Sequence, residues 1–123
     1  MKSHLDLGSG DKPRNPYRCD RIFGTDQSQT YASENIVICN LGFEKIPFPD
    51  HSFDSVSAFD LLEHIPRYTS VPSQGGSTFP FIFLMSEILR VLKPGGLLLA
   101  VTPAYPAKQA FQDPTHVNFI TEV

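Results

Sequence analysis

A chain of 123 residues, 41% hydrophobic and 19% charged, has the size and composition of one globular domain over residues 1–123, long enough to bury a core yet short for an α/β enzyme. Its formal net charge of −3 argues against a surface that coats nucleic acid; no apolar run approaches the roughly 20 residues of a membrane span, and Met1-Lys2-Ser3-His4 leads into no hydrophobic signal core, so the expected setting is the cytoplasm. Cys19 and Cys39 stand alone, without C-x-x-C or clustered histidine spacing, so neither a disulfide framework nor a metal site is indicated.

The first element is a strand over residues 5–7 that runs into Gly8-Ser9-Gly10. Residues 12–18 carry two prolines, Pro13 and Pro16, which argues for an irregular connection or a very short helix in place of a regular crossover helix. A second strand over residues 21–25 ends in Asp26, 20 positions beyond Asp6. Strand, glycine turn, strand and terminal carboxylate at that spacing is the arrangement that lets backbone amides approach a nucleoside while an acid accepts its ribose hydroxyls.

A short β-branched run at residues 36–39 is a third strand and residues 53–59 a fourth. Residues 66–78 are polar and glycine-rich and read as a long loop, functional or disordered, placed near an acceptor entrance. Phe81, Leu84, Met85, Ile88 and Leu92 then recur at helical spacing, a helix of roughly a dozen residues with one face in the core. Lys93-Pro94-Gly95-Gly96 is expected to end it, the glycines supplying the left-handed terminal conformation. A fifth strand covers residues 97–102. Such apolar runs suit a parallel sheet covered on both faces.

Gly8 and Gly10 are followed by Asp11, Lys12 and Pro13, so the third glycine of a dinucleotide fingerprint is missing, and Asp11 would repel a pyrophosphate. A sulfonium nucleoside carries positive charge and no phosphate. At this point the acid-x-G-x-G turn resembles the first motif of the class I S-adenosylmethionine-dependent methyltransferases. Three further segments resemble that family in its order: residues 40–54, with Ile46-Pro47-Phe48-Pro49-Asp50-His51-Ser52-Phe53-Asp54; Leu61-Leu62-Glu63-His64-Ile65; and Glu87-Ile88-Leu89-Arg90-Val91-Leu92-Lys93-Pro94-Gly95-Gly96. The resemblance runs over about residues 4–103.

It implies a Rossmann-like, doubly wound, mostly parallel α/β sheet of about five strands, S-adenosylmethionine as cofactor, and in-line methyl transfer to an acceptor. Gly8 and Gly10 would bring the turn close to the methionine part. Asp6 stands at the motif's acidic position, where it either serves the cofactor or braces the turn. Asp26 is the expected ribose acceptor, its alternative a turn-capping aspartate. Asn40 occupies a position where relatives often carry an aspartate facing adenine; its carbonyl can accept from the adenine amino group while the Leu41 amide donates to the neighbouring ring nitrogen, and its alternative is an Asx turn.

The acceptor side is less defined: a small molecule, a sugar or lipid intermediate, or a protein. His116, beyond the fifth strand, is a candidate general base with an ordinary pKa near 6.5; the other reading is a loop histidine bonded to Asp113 or a carbonyl. His64 is expected to pack or bond locally, and His51 and His4 to be surface or turn residues. Arg14 and Arg18, if they face the cleft, could pair with a phosphate or carboxylate; otherwise they are a solvated loop. Two other functions compete: a non-catalytic nucleoside-binding module with an incomplete acceptor pocket, and a nicotinamide oxidoreductase, which the missing third glycine disfavours.

The family's last two strands cannot fit in the residues after position 102. The fifth strand is therefore expected to be left as an unpaired edge. Three resolutions are open: a longer natural chain, coverage by residues 104–123, or a homodimer joined through that edge.

Overall fold

In the computed structural model, residues 1–66, 69–71, 76–103 and 116–122 are described, the last segment and residues 69–71 and 76–78 by their backbone. The strands are β1 (Ser3–Leu7), β2 (Arg21–Asp26), β3 (Ile36–Ile38), β4 (Phe53–Phe59), β5 (Thr69–Val71), β6 (Gly76–Thr78), β7 (Leu92–Pro103) and β8 (His116–Glu122), and the helix α1 is Pro80–Val91. Six of the strands make one sheet in the order β3-β2-β1-β4-β7-β8. The first five run parallel and β8 runs antiparallel to β7. This is the expected Rossmann-like α/β architecture. The chain winds outward from β1 to β3 and then returns to the other side of β1, so the strand order reverses between β1 and β4, the crevice where open α/β sheets bind ligands at their carboxyl ends.

Strand alternation gives the sheet two unlike faces. On one, Leu5, Leu7, Val56, Ala58 and Leu98 cluster with Leu84, Ile88 and Val91 of α1. The helix forms where the apolar spacing predicts it, with Pro80 at its first turn, where a missing N–H costs nothing. On the other face the in-register pairs His4↔Ser55 and Asp6↔Ser57 form a buried polar row. Here no helix joins β1 to β2; the proline-containing segment expected to be irregular lies over the row, with Cys19 Sγ 3.5 Å from Ser55 Oγ and the Tyr17 ring 6.2 Å from that of His4.

Four expectations are corrected. His4 is fully buried, not a surface residue, because it is the second residue of a central strand and both ring nitrogens find hydroxyls, Ser55 Oγ at 2.6 Å and Ser57 Oγ at 2.7 Å. The glycines after Lys93 do not cap α1: the helix ends at Val91 with Leu92 already extended. Gly95, at φ +82°, instead lets β7 bulge where the register passes from Phe53↔Leu92 to Ser55↔Leu97. Within residues 66–78 there is an antiparallel pairing, Thr69↔Thr78 to Val71↔Gly76, in place of an unstructured loop. Finally, the fifth parallel strand is not an open edge. β8 pairs with it from Leu97↔Glu122 to Pro103↔His116, so residues 116–122 cover that edge and the backbone groups that a homodimer would have used there are taken.

Candidate functional site

The glycine turn after β1 is held by its neighbours. Ser9 N donates to Thr25 O at 2.9 Å, and Gly10 N donates to Asp26 Oδ2 at 2.9 Å. Gly8 and Gly10 both have positive φ, 66° and 63°, which side chains disfavour; a Cβ at Gly8 would also stand 3.2 Å from Leu61 Cδ1. Gly24 in β2 has a different reason to be glycine: a Cβ there would fall 2.3 Å from Ser9 Oγ and 2.9 Å from Pro13 Cγ. The turn therefore packs directly on the β2 backbone.

A cleft of about 410 Å³ opens at the carboxyl ends of the strands, lined by Gly8, Asp26, Gln27, Cys39, Asn40, Leu41, Phe43, Leu61, His64, Ile65 and Pro66. Its volume is within the range of small-ligand sites, and so is its mix of apolar walls with a few polar groups. Four of the sequence-predicted residues, Gly8, Asp26, Asn40 and Leu41, share it. Asp26 Oδ1 accepts from Ser28 N at 3.0 Å, so two backbone amides orient the carboxylate at the cleft while lone pairs remain for ligand hydroxyls. The Asn40 turn is made by its backbone: Asn40 O accepts from Phe43 N and Glu44 N, and Asn40 N donates to Glu44 Oε1 at 2.7 Å. The exposed Asn40 side chain is not what closes this turn.

Gly10 joins the site through its amide on Asp26. Asp6 does not line the cleft. It is fully buried below it, Oδ2 accepting from Arg14 N at 2.8 Å and Oδ1 from Ser57 Oγ at 2.8 Å, bonds that brace the segment after the turn. Burial holds its carboxyl above the ordinary carboxylate range, against the opposing pull of those bonds and of the Arg14 charge. The hydroxyl of Ser57, donating to Asp6, accepts in turn from His4 Nε2–H, and His4 Nδ1 is left to accept from Ser55. The row is consistent with a neutral His4, whose pKa burial lowers to about 4.

His64 is exposed on the cleft rim, 3.8 Å from Glu63. Cys39 lines the cleft, but burial first, then Glu44 and Glu87, pushes its thiol to about 11, so it is protonated at neutral pH and no nucleophile. His116 is placed by backbone alone, in register with Pro103 at the carboxyl end of β7; Asp113 lies outside the described residues. Gln27, Phe43, Leu61 and Ile65 were not singled out as site residues. Leu61 and Ile65 bound the Leu-Leu-Glu-His-Ile motif, whose position after β4 was the available signal. Among the described residues no cluster of three or more His, Cys, Asp or Glu could hold a metal ion, and no helix is long and apolar enough to cross a membrane.

The family described as Methyltransferase domain matches residues 5–100. Among curated proteins, a sterol 24-C-methyltransferase of Gibberella zeae is 44% identical over 55 residues, 45% of this chain and 11% of that protein. A demethylmenaquinone methyltransferase of Staphylococcus epidermidis is 27% identical over 93 residues, 76% of this chain and 33% of that protein. The chain thus spans a third or less of the length of these two relatives. Among solved structures, phosphoethanolamine N-methyltransferase 2 of Haemonchus contortus, in complex with S-adenosyl-L-methionine, superposes with a TM-score of 0.59 at 21% identity over 91% of this chain and 27% of that one.

Proposed function

The chain belongs to the methyltransferase domain family, and from that premise we propose that it binds S-adenosylmethionine and directs its methyl group to an acceptor. The observation that carries this reading is the Asp26 carboxylate, oriented by the Gly10 and Ser28 amides at the end of β2 and facing a cleft of nucleoside size. The residues present fit the group: an acid for the ribose hydroxyls, Asn40 and the Leu41 amide for the adenine edge, and a glycine turn with no side chain between the backbone and the amino-acid end. When bound, the cofactor supplies a sulfonium-activated methyl carbon. The chain's part is then to orient and to exclude water. Leu41, Leu61 and Ile65 wall the cleft with apolar groups, and fixing the reacting groups in line can contribute up to about 7–11 kcal/mol.

His116, in register with Pro103 at the carboxyl end of β7, is the residue proposed to accept the acceptor's proton. The acceptor is a small molecule, a sugar or a lipid intermediate; the sterol and demethylmenaquinone in the relatives' names support the lipid branch.

Calorimetry with S-adenosylhomocysteine and with NAD tests the reading. The expected result is binding of the first and not the second, with Asp26→Ala weakening the first at least about tenfold, as loss of a charge-assisted acceptor predicts. Unchanged affinity in that variant removes Asp26 from the ribose.

A further inference from the structure

The outward side of α1 carries the wrong residues for a surface helix facing water. Its exposed positions are Ile82, Ser86 and Leu89, spaced by four and three so that they form one stripe along the helix. Such a stripe ordinarily holds charged and polar residues. Here both charged residues of α1, Glu87 and Arg90, are turned to the backbone of residues 46–48 and to each other, while Ile82 and Leu89 are 62% and 51% exposed.

The stripe begins at the cleft. Because α1 crosses between two parallel neighbours, β4 and β7, it runs against them and its first turn lies at the carboxyl end of the sheet. Phe81 N donates to the carbonyl of Pro66, a cleft-lining residue, at 3.0 Å. Pro80 and the cleft-lining Ile65 close on Gly42, with Pro80 Cβ 3.0 Å and Ile65 Cγ2 3.2 Å from where a Cβ there would stand. Phe43 follows, 47% exposed and lining the mouth. Apolar surface thus continues from the cleft walls, Leu41, Leu61 and Ile65, through Phe43 to the start of the helix.

Area and charge decide what covers it. Phe43, Phe79, Ile82 and Leu89 are each about half exposed and together present on the order of 400 Å². That is half of the roughly 800 Å² per partner that a stable protein interface buries, and an uncharged stripe has nothing to fix the orientation of a second copy or of another protein. A bilayer needs neither, since its attraction for apolar side chains is non-directional and scales with area. We propose that Ile82 and Leu89, with Phe43, seat the chain on the surface of a lipid bilayer, the cleft mouth beside the lipid. An apolar acceptor dissolved in that bilayer then reaches the mouth without passing through water. The contact is apolar rather than ionic: the net charge is −3, and the stripe offers no cation to anionic headgroups. The seating stands whether or not the cleft takes S-adenosylmethionine.

The test is co-sedimentation with phosphatidylcholine vesicles and with vesicles containing phosphatidylserine, at low and high salt. The chain is compared with Ile82→Glu/Leu89→Glu, with Phe43→Ser, and with Gln29→Glu, an exposed position that adds charge away from the stripe. Glutamate is a good helix former, and circular dichroism checks that each variant is folded. The expected result is that the chain sediments with phosphatidylcholine, that phosphatidylserine adds nothing and salt does not release it, and that the double variant binds at least about tenfold less. Phe43→Ser should lose part of the binding and Gln29→Glu none. A chain that stays in solution, full binding by the folded double variant and by Phe43→Ser, or binding that needs phosphatidylserine and is released by salt overturns the proposal. So does a dimer, seen by light scattering, that the double variant dissolves and that does not sediment with vesicles; the stripe would then belong to a second copy.

Discussion

Glu87 and Arg90, one turn apart on α1, form a two-point ion pair, Nε to Oε2 at 3.0 Å and Nη2 to Oε1 at 2.9 Å, on a glutamate that is nearly fully buried. The pair clamps a distant segment. Ile46 N donates to Glu87 Oε1, while Arg90 donates to Ile46 O, Phe48 O and Asp50 Oδ1. Two of the motifs that suggested a methyltransferase are thus the two halves of a structural joint between α1 and the segment that leads into β4.

Arg90→Ala should accordingly destabilise the fold by about 3 kcal/mol or more, since it strands the buried Glu87 charge and two carbonyls. Arg90→Lys should lie between, losing the fork but keeping the charge. Asp50, with its side chain 69% exposed, should matter far less, by about 0.5 kcal/mol or below in Asp50→Asn. Urea denaturation of the three variants ranks them; equal losses in all three would show that the clamp is not held as described.

Gly24→Ala should destabilise by about 1–3 kcal/mol, the cost of overpacking, because the new methyl collides with Ser9 and Pro13. Gly10→Ala should cost only about 1 kcal/mol of backbone strain, since its Cβ would meet nothing within 4 Å. Thermal melts that reverse this order would mean that the turn does not rest on β2.

Much of the site was legible because its residues sit at strand ends, which short-range spacing locates: Gly8 follows β1 directly, Asp26 is the last residue of β2 and Asn40 lies two residues past β3. The helix was legible for the same reason. What escaped depends on partners far along the chain. His4 is buried because Ser55 and Ser57, 51 and 53 residues away, present hydroxyls to its ring. The pairing of residues 116–122 with β7 depends on register, which a short β-branched stretch does not announce. The role of Gly95 changed because α1 ends at Val91 with Leu92 as its cap, which puts Gly95 two positions beyond the place a capping glycine takes. The resemblance to a family supplied order and cofactor; it could not say that Asp6 faces Arg14 N rather than the cleft.

His116→Ala should lower turnover about a hundredfold or more, the usual contribution of a positioned base, while leaving S-adenosylhomocysteine affinity within about twofold. The split matters because a loss of β8 pairing would disturb folding and binding together. Equal rates in the two proteins, measured once an acceptor is in hand, would take His116 out of the chemistry.

The buried polar row predicts a pH dependence that belongs to the fold. Folded His4 titrates near 4 and the unfolded residue near 6.5, so between these values the unfolded chain binds a proton that the folded chain refuses, and stability must fall as the pH falls. His4's contribution is complete above about pH 6.5 and is lost progressively toward about pH 4, a gap on the order of 3 kcal/mol. Asp6 works in the opposite sense: burial raises its folded pKa, so its contribution grows as the pH drops through that value. Glu87, Asp50 and Asp54, held below the ordinary carboxylate range, lose theirs only at still lower pH. His4 and Asp6 thus act in opposite directions as the pH falls, and the part that belongs to His4 is isolated by comparison with His4→Gln. Urea unfolding from pH 7.5 downward should show stability declining below about 6.5 in the natural sequence and no such decline there in His4→Gln, even if that variant is less stable throughout. A flat profile in both would mean that His4 is already charged when folded, and the ordering of the hydroxyls between Ser55 and Asp6 would have to be reversed.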